Sequence, residues 1–552
     1  MTGGEAVIRS LADHDVSVVF GIPGIHNLAV YEALCGAPGI RLIGARHEQG
    51  ASFMADGYAR AGGRAGVCLC TSGPAVLNAA PGLGTALSDS SPILCVASQI
   101  PSAGIGQNKG YLHECRDQLA CLRPVTKWCA RADTVAEIPG IMREAFAQML
   151  SGRRGPVAVE IPCDIMDAAD EVEPVEPAVS MRAEPQPEQV QQAVDLLATA
   201  RRPVIWAGGG VISSDAADEL LAFAEQLQAP VFTTVLGKGA IAGDHPLCAG
   251  STIQHPAARD YVIGCDVMVA VGTRFNEDES SEWSVRLPDS LVHIDIDPAE
   301  INRNYPCTAG VVGDARQCLR QLTAKLAPVG RQSGGPDRIA ETARLRLAIL
   351  EDCRELAPEG VELVETIQAA LPRDTVLVND LAVGAYWCRR LLEQYEPRSN
   401  VYPWGFCTLG FGVPAAIGAK LAQPLRPTVL LSGDGGFQFN LQELAVAVQF
   451  DVPIVIVLFN DSGYGVLERQ QQMRYGRSLG ADLQNPDFVA LAAAYGIEGC
   501  RVDSIAALGP AIGEAIESGQ IRLIELPMRL PPQVMDSATR AMFLAGLNDS
   551  EQ

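Results

Sequence analysis

Short apolar runs alternate with longer stretches of helical spacing along most of the chain. In the first third the runs are Ala65–Cys70, Ile93–Ala97 and Val157–Ile161. In the middle they are Val204–Ala207, Val267–Val271 and Leu291–Ile296, and in the last third Val376–Val378, Thr428–Leu431, Ile454–Phe459 and Ile521–Leu526. Between them apolar residues recur at helical intervals, as in Asn440–Phe450. Strands this short and this continuously apolar are buried on both faces, which predicts parallel sheets covered by helices. Two stretches interrupt the pattern. Residues 166–189 are rich in Pro and Glu, and 327–338 in Gly, Pro and polar residues, so both read as linkers.

The predicted fold class is therefore α/β, as three consecutive doubly wound parallel-sheet domains. They span 1–170, 188–328 and 350–530, with a tail over 531–552 that reads as a lid or a frayed end. A length of 552 residues suits three domains. Periodicity does not tell whether the first and third blocks are related.

Charge narrows the partners. A formal net charge of −23 disfavours nucleic acid and anionic membranes. It leaves room for an anionic cofactor, which needs only local N–H groups and a metal. The 16 cysteines show no C-x-x-C pair and no metal-ligand spacing, so they read as buried free thiols in a reducing compartment. The N-terminus lacks a basic and an apolar signal region, and no run of about 18 apolar residues occurs. A cytoplasmic location without membrane attachment is expected.

The sharpest motif follows the Thr428–Leu431 run: Ser432-Gly433-Asp434-Gly435-Gly436. A second polar turn, Asn460-Asp461-Ser462-Gly463, follows the Ile454–Phe459 run, with 24 residues between Gly435 and Asn460. Both clusters fall at C-terminal ends of strands, where open α/β sheets bind ligands. Glycines admit a phosphate close to the backbone, and N–H groups at a helix start face it. Asp434, the Asp461 side chain and the Gly463 carbonyl would join two diphosphate oxygens and a water around an octahedral Mg²⁺.

This pair of turns resembles the diphosphate-binding motif of thiamine-diphosphate enzymes, whose usual residue at the second metal position is Asn where this chain has Asp461. The first block carries a matching half. Phe20-Gly21-Ile22-Pro23-Gly24, Arg46-His47-Glu48-Gln49-Gly50-Ala51 and Ala55-Asp56-Gly57-Tyr58-Ala59-Arg60 resemble the pyrimidine-binding domain of the acetolactate synthase, benzaldehyde lyase and 2-oxo acid decarboxylase superfamily. The resemblance implies that Glu48 binds N1′ of the aminopyrimidine ring and shares its proton, thereby activating the thiazolium carbon. An apolar pocket suits that task, because desolvation favours the neutral carboxyl.

Further matches extend over nearly the whole chain: Thr71-Ser72-Gly73-Pro74-Ala75 with Asn78, then 155–164, Pro203–Gly210, Gly272–Phe275, His293–Asp297 and Thr408–Gly412 with Pro414-Ala415-Ala416. By this resemblance the cofactor contacts are Gly24, Glu48, Asn78, Cys407, Leu409, Gly433, Asp434, Gly435, Gly436, Asn460, Gly463 and Tyr464. Leu409 would wedge the cofactor into its bent shape, and the Cys407 carbonyl would accept from the 4′-amine. In the superfamily the first domain of one subunit faces the third domain of another. A homodimer or homotetramer with sites across the interface is therefore expected. Acetolactate synthases bind FAD near an R-F-D-D-R segment; this chain reads Arg274-Phe275-Asn276-Glu277-Asp278, and no FAD is expected.

The substrate must be read from the pocket. Tyr111-Leu112-His113-Glu114 places a titratable His where carboligating relatives resemble a Gln. A His can deliver a proton after CO₂ leaves, which releases an aldehyde. His26 is a second candidate. The combination of F-G-I-P-G-x-H, R-H-E-Q-G-A-x-F-M-A-D-G-Y-A-R and L-H-E-x-x-D-Q looks closest to the 5-guanidino-2-oxopentanoate decarboxylase branch. Glu114 and Glu468 are candidates to meet its guanidinium tail, with Tyr464, Val466 and Leu467 lining the pocket. Glu114 also reads as a loop cap. The expected reaction is non-oxidative decarboxylation of a 2-oxo acid. The alternatives are an acetolactate-synthase-like carboligase or a C–C lyase, and a silent relative that only binds a partner.

Overall fold

A computed structural model describes residues 1–179, 181–327 and 337–535. Most of the second predicted linker and the tail beyond residue 535 lie outside the described residues. The first linker, between Asp167 and the helix that begins at Pro187, shows no helix or strand among its described residues beyond a bridge from Ala169 to Thr2.

Among the described residues eighteen strands form three six-stranded sheets. The first holds β1 (Val18–Gly21), β2 (Arg41–Gly44), β3 (Gly66–Cys70), β4 (Ile93–Gln99), β5 (Trp128–Arg131) and β6 (Val157–Pro162), in the order β2-β1-β3-β4-β6-β5. The second holds β7 (Pro203–Ala207), β8 (Val231–Thr233), β9 (Cys248–Gly250), β10 (Val267–Val271), β11 (Ser290–Asp295) and β12 (Ala309–Val312), in the order β12-β11-β10-β7-β8-β9. The third holds β13 (Val376–Asn379), β14 (Asn400–Val401), β15 (Thr428–Gly433), β16 (Val455–Phe459), β17 (Glu498–Arg501) and β18 (Arg522–Leu526), in the order β14-β13-β15-β16-β18-β17.

Every pairing between these strands is parallel. Helices cover the faces, so the central strands are buried throughout: β3, β4, β6, β10 and β16 have no exposed residue. The first and third sheets share one strand order, a kinship that periodicity did not reveal. The middle sheet, read from its own first strand, has the dinucleotide-fold order.

One helical expectation is corrected. Asn440–Phe450 is not one helix but a 3-10 turn, Leu441–Glu443, followed by the short helix Leu444–Gln449. Polar Asn440, Gln442 and Glu443 at its start are all engaged in side-chain hydrogen bonds, which compete with a regular helical start.

The first and third domains pack through two helices, Glu48–Gly62 and Gly412–Ala422. A methyl added at Gly57 would land on the Ala415 carbonyl, and one at Gly418 on the Met54 carbonyl. The two backbones therefore touch directly, and side chains from both domains share one buried cluster that includes Phe53, Tyr58, Phe411 and Ile417.

Candidate functional site

The third sheet presents its polar turns at the ends of adjacent strands. Gly433 ends β15 and Asp434 opens the one-turn helix Asp434–Phe437; Asn460 follows β16. Because β15 and β16 are register neighbours, Gly433 lies opposite Phe459 and the two turns converge. Asp434 is almost fully buried. Its Oδ2 accepts from the Gly463 N–H at 3.1 Å and from Asn485 Nδ2 at 2.5 Å.

Asp461 lies beside Asp434, and burial together with that neighbouring carboxylate pushes it up to about 6. Arg529 and Arg469 act in the opposite direction. Burial likewise raises Asp434. Two adjacent, partly desolvated carboxylates disfavour joint ionisation unless a cation joins them.

Asn460 is committed to the protein. Its Nδ2 donates to Glu525 Oε1 at 2.7 Å, and its Oδ1 accepts from Ser462 N and Asn485 Nδ2. Asn485 was not singled out in the sequence. It bridges Asp434 and Asn460 and accepts from Gln438, fastening both turns together. Nothing in its local sequence marks it, since its role arises only when the two turns meet. Tyr464 precedes the helix Gly465–Tyr475, whose first turn carries Val466, Leu467 and Glu468. Glu468 forms a close ion pair with Arg529.

The first sheet presents the other group. Glu48 is the first residue of the helix Glu48–Gly62, and its Oε2 accepts from Asn78 Nδ2 at 2.9 Å. Asn78 lies on the helix Pro74–Asp89, which follows the turn after β3. Two histidines from other loops pack against that turn. His26 Nδ1 is 2.6 Å from Ser72 Oγ, and the rings of His26 and His113 meet edge to face at 5.5 Å. Burial and the nearby His113 hold His26 below its ordinary value.

His113 takes a positive φ of 62°, an uncommon conformation for a residue with a Cβ. Its carbonyl packs on Gly73, where a methyl would collide with it. Gln118, buried, accepts from the Gly73 N–H at 2.8 Å and donates to Glu160, so the turn is fixed from below. His113 Nδ1 and Glu114 Oε1 are buried and lack a hydrogen-bond partner. Glu114 Oε2 accepts from Gly110 N and Tyr111 N, so this carboxylate caps its loop.

Gly24 donates to Asn27 Oδ1 and abuts Thr71. Cys407 is exposed with φ 51°, and Leu409 is half-buried ahead of the helix Gly412–Ala422.

One further residue escaped the sequence reading. Glu443, fully buried, accepts from Arg46 N at 3.1 Å and His47 N at 2.9 Å, directly before Glu48. Burial pushes it up to about 7, with Glu48 adding to the rise and the two N–H donors opposing it. It fastens the third domain to the start of the helix that carries Glu48. A Glu in a helical pattern carries no mark of such a role.

The middle domain has a crevice of about 250 Å³ at its switch point, between Gly208–Gly210 after β7 and Gly272–Arg274 after β10. Of the candidate flavin segment, Arg274 donates to the Ser88 carbonyl and Asn276 Oδ1 accepts from Glu279 N. Asp278 pairs with Arg390. Half of the cysteines are buried; Cys35, Cys407 and Cys500 are exposed, which corrects the expectation that all are buried.

Comparison with known proteins agrees with this geometry. Residues 1–121 match the thiamine pyrophosphate enzyme N-terminal TPP binding domain, 190–322 the central domain and 383–526 the C-terminal TPP binding domain. The chain belongs to the thiamine pyrophosphate enzymes and is of the class that acts on 2-oxo acids.

Among individual relatives, the probable 2-ketoarginine decarboxylase AruI of Pseudomonas aeruginosa is 40% identical over 502 residues, 90% of this chain and 88% of that protein. The probable acetolactate synthase large subunit of Methanocaldococcus jannaschii is 36% identical over 549 residues, covering 95% and 92%. Acetolactate synthase isozyme 3 large subunit of Escherichia coli is 35% identical over 535 residues, covering 94% and 92%. Among the described residues no helix is long and apolar enough to cross a membrane.

Proposed function

We propose that the protein is a non-oxidative 2-oxo acid decarboxylase that releases an aldehyde and CO₂. The observation that carries this reading is the His26–His113 pair, with His26 bonded to Ser72 and a buried Nδ1 of His113 left without a partner. A carboligase has no need of a titratable proton donor there, whereas aldehyde release requires a proton at the carbon that CO₂ leaves.

The residues present fit the cofactor and a divalent cation. Asp434 and Asp461 form a paired-carboxylate site of the kind a hard cation prefers, with Gly463 alongside. Bound thiamine diphosphate supplies the carbon nucleophile and the electron sink for loss of CO₂. Glu48, oriented by Asn78, holds the proton shared with the aminopyrimidine ring. His113 and His26 deliver the proton that completes the product, and the apolar side chains of Val466, Leu467 and Leu409 exclude water from the reacting carbon.

The substrate reading is a 2-oxo acid with a guanidino tail, in line with the relative named for 2-ketoarginine. Glu468 is read as the carboxylate for that tail; it pairs with the guanidinium of Arg529, which a guanidino substrate would have to displace or join. Glu114 caps its loop through Oε2, while its buried Oε1 has no partner.

A dimer or tetramer that completes the site across an interface is part of this reading. Exposed Ile25, Leu28, Leu77 and Leu112 near the Glu48 group, and Phe439 and Leu467 near the Asp434 group, support it. The middle domain is read as working without flavin, because the Asn276–Glu279 segment serves the scaffold; a purified protein with no flavin absorbance band agrees with this, and a stoichiometric band contradicts it.

A panel of guanidino, branched, aromatic and simple 2-oxo acids tests the whole. Decarboxylation predicts CO₂ and aldehyde in equal amounts without any added acceptor, fastest with the guanidino acid. Acetolactate from pyruvate would favour the carboligase.

A further inference from the structure

Beneath the Glu48 helix lies a cluster that cysteine spacing hides. Cys68 and Cys70 are alternate residues of β3, so their side chains share one sheet face. Cys95 on β4 is the register partner of Cys68. The three sulfurs lie within 4.8 Å of one another, and all three side chains are buried. The three thiols influence one another: the neighbouring Cys68 and Cys70 side chains hold Cys95 below the ordinary thiol value, while Cys68 and Cys70 are pushed above it. The surroundings are apolar, including Phe20, Ala51, Val76 and Ala97. The Tyr31 hydroxyl, buried without a hydrogen-bond partner, interacts electrostatically with Cys70, Cys68 and Glu48.

We propose that Cys68, Cys70 and Cys95 form a three-sulfur site for one trivalent thiophilic metalloid, of the arsenic(III) type. Geometry allows it: a soft centre about 2.3 Å from each sulfur, as for zinc thiolates, sets sulfurs about 4 Å apart in a trigonal plane and closer in a pyramid. Charge selects among soft centres. Three thiolates around Zn²⁺ leave one net negative charge, and around Cu⁺ two, and a net charge in an apolar core is costly. Three thiolates around arsenic(III) leave none.

The step balances without a redox change. Uncharged arsenous acid loses three As–O bonds as three S–As bonds form, and each thiol proton leaves with a hydroxide as water. Entry requires the core to open, so loading is slow. Cys70 leads directly into the Thr71–Gly73 turn, so occupancy also slows turnover.

The test uses the holoenzyme, reduced with a phosphine and incubated with arsenite, then freed of unbound arsenite. Arsenic per chain and its sulfur coordination number by X-ray absorption are the readouts. The expected result is one arsenic per chain bound by three sulfurs, lost in Cys95→Ala and in Cys68→Ala while cofactor binding persists. Cys68→Ala stands alone if Cys95→Ala does not fold. No bound arsenic in the wild type, two-sulfur coordination as at a partly exposed pair such as Cys115–Cys121, or three-sulfur arsenic surviving in Cys68→Ala overturns the proposal.

Discussion

Glu443 Oε1 accepts from the backbone N–H of His47 at 2.9 Å, tying the third domain to the residue before Glu48. Glu443→Gln keeps an acceptor but removes the charge. Burial holds Glu443 at about 7, against an ordinary 4.5. The unfolded chain therefore ionises it first. Its contribution to stability is greatest below pH 4.5, falls as pH rises toward about 7, and is level above that. The loss is on the order of 3 kcal/mol. Thermal melts from pH 4 to 8 should fall less steeply for Glu443→Gln than for wild type, and an identical slope would contradict the assignment.

His113→Gln removes the proposed proton donor and one cause of the low His26 value. CO₂ release from a 2-oxo acid alone should drop about 10²-fold. By NMR, His26 should titrate at higher pH than in wild type.

Asp434→Ala removes a carboxylate that is nearly buried and accepts from Gly463 and Asn485. Calorimetry with thiamine diphosphate and Mg²⁺ should show affinity reduced at least 10²-fold, because the metal loses a ligand. Asn485→Ala should weaken binding less, since Asn485 only positions Asp434 and Asn460.

Gly57→Ala places a methyl against the Ala415 carbonyl. Overpacking of this kind costs about 1–3 kcal/mol. A lowered melting temperature with little change in KM is expected.

The parts legible in the sequence were those with strong local patterning. The ten apolar runs all became strands, with ends shifted by a residue or two, because central parallel strands are apolar on both faces. The edge strands were missed, and so was the short interior β8: β2 begins with exposed Arg41, and every residue of β17 except Gly499 is exposed. An edge strand has a neighbour on one side only and is here short or partly exposed, so its pattern merges with that of a loop. Glu48 and Asp434 stood out because each sits in a dense motif. Glu443 and Asn485 did not, since their partners lie 396 and 51 positions away. The cysteine cluster escaped for the same reason, as it joins neighbouring strands rather than neighbours in sequence.

The central claim is that Glu48 activates the cofactor while other residues anchor it. Glu48→Gln measures this most directly, with calorimetric binding of thiamine diphosphate and CO₂ release from the preferred 2-oxo acid recorded on the same preparation. Near-normal binding with turnover lowered at least 10²-fold is expected. Near-normal turnover in Glu48→Gln would contradict it.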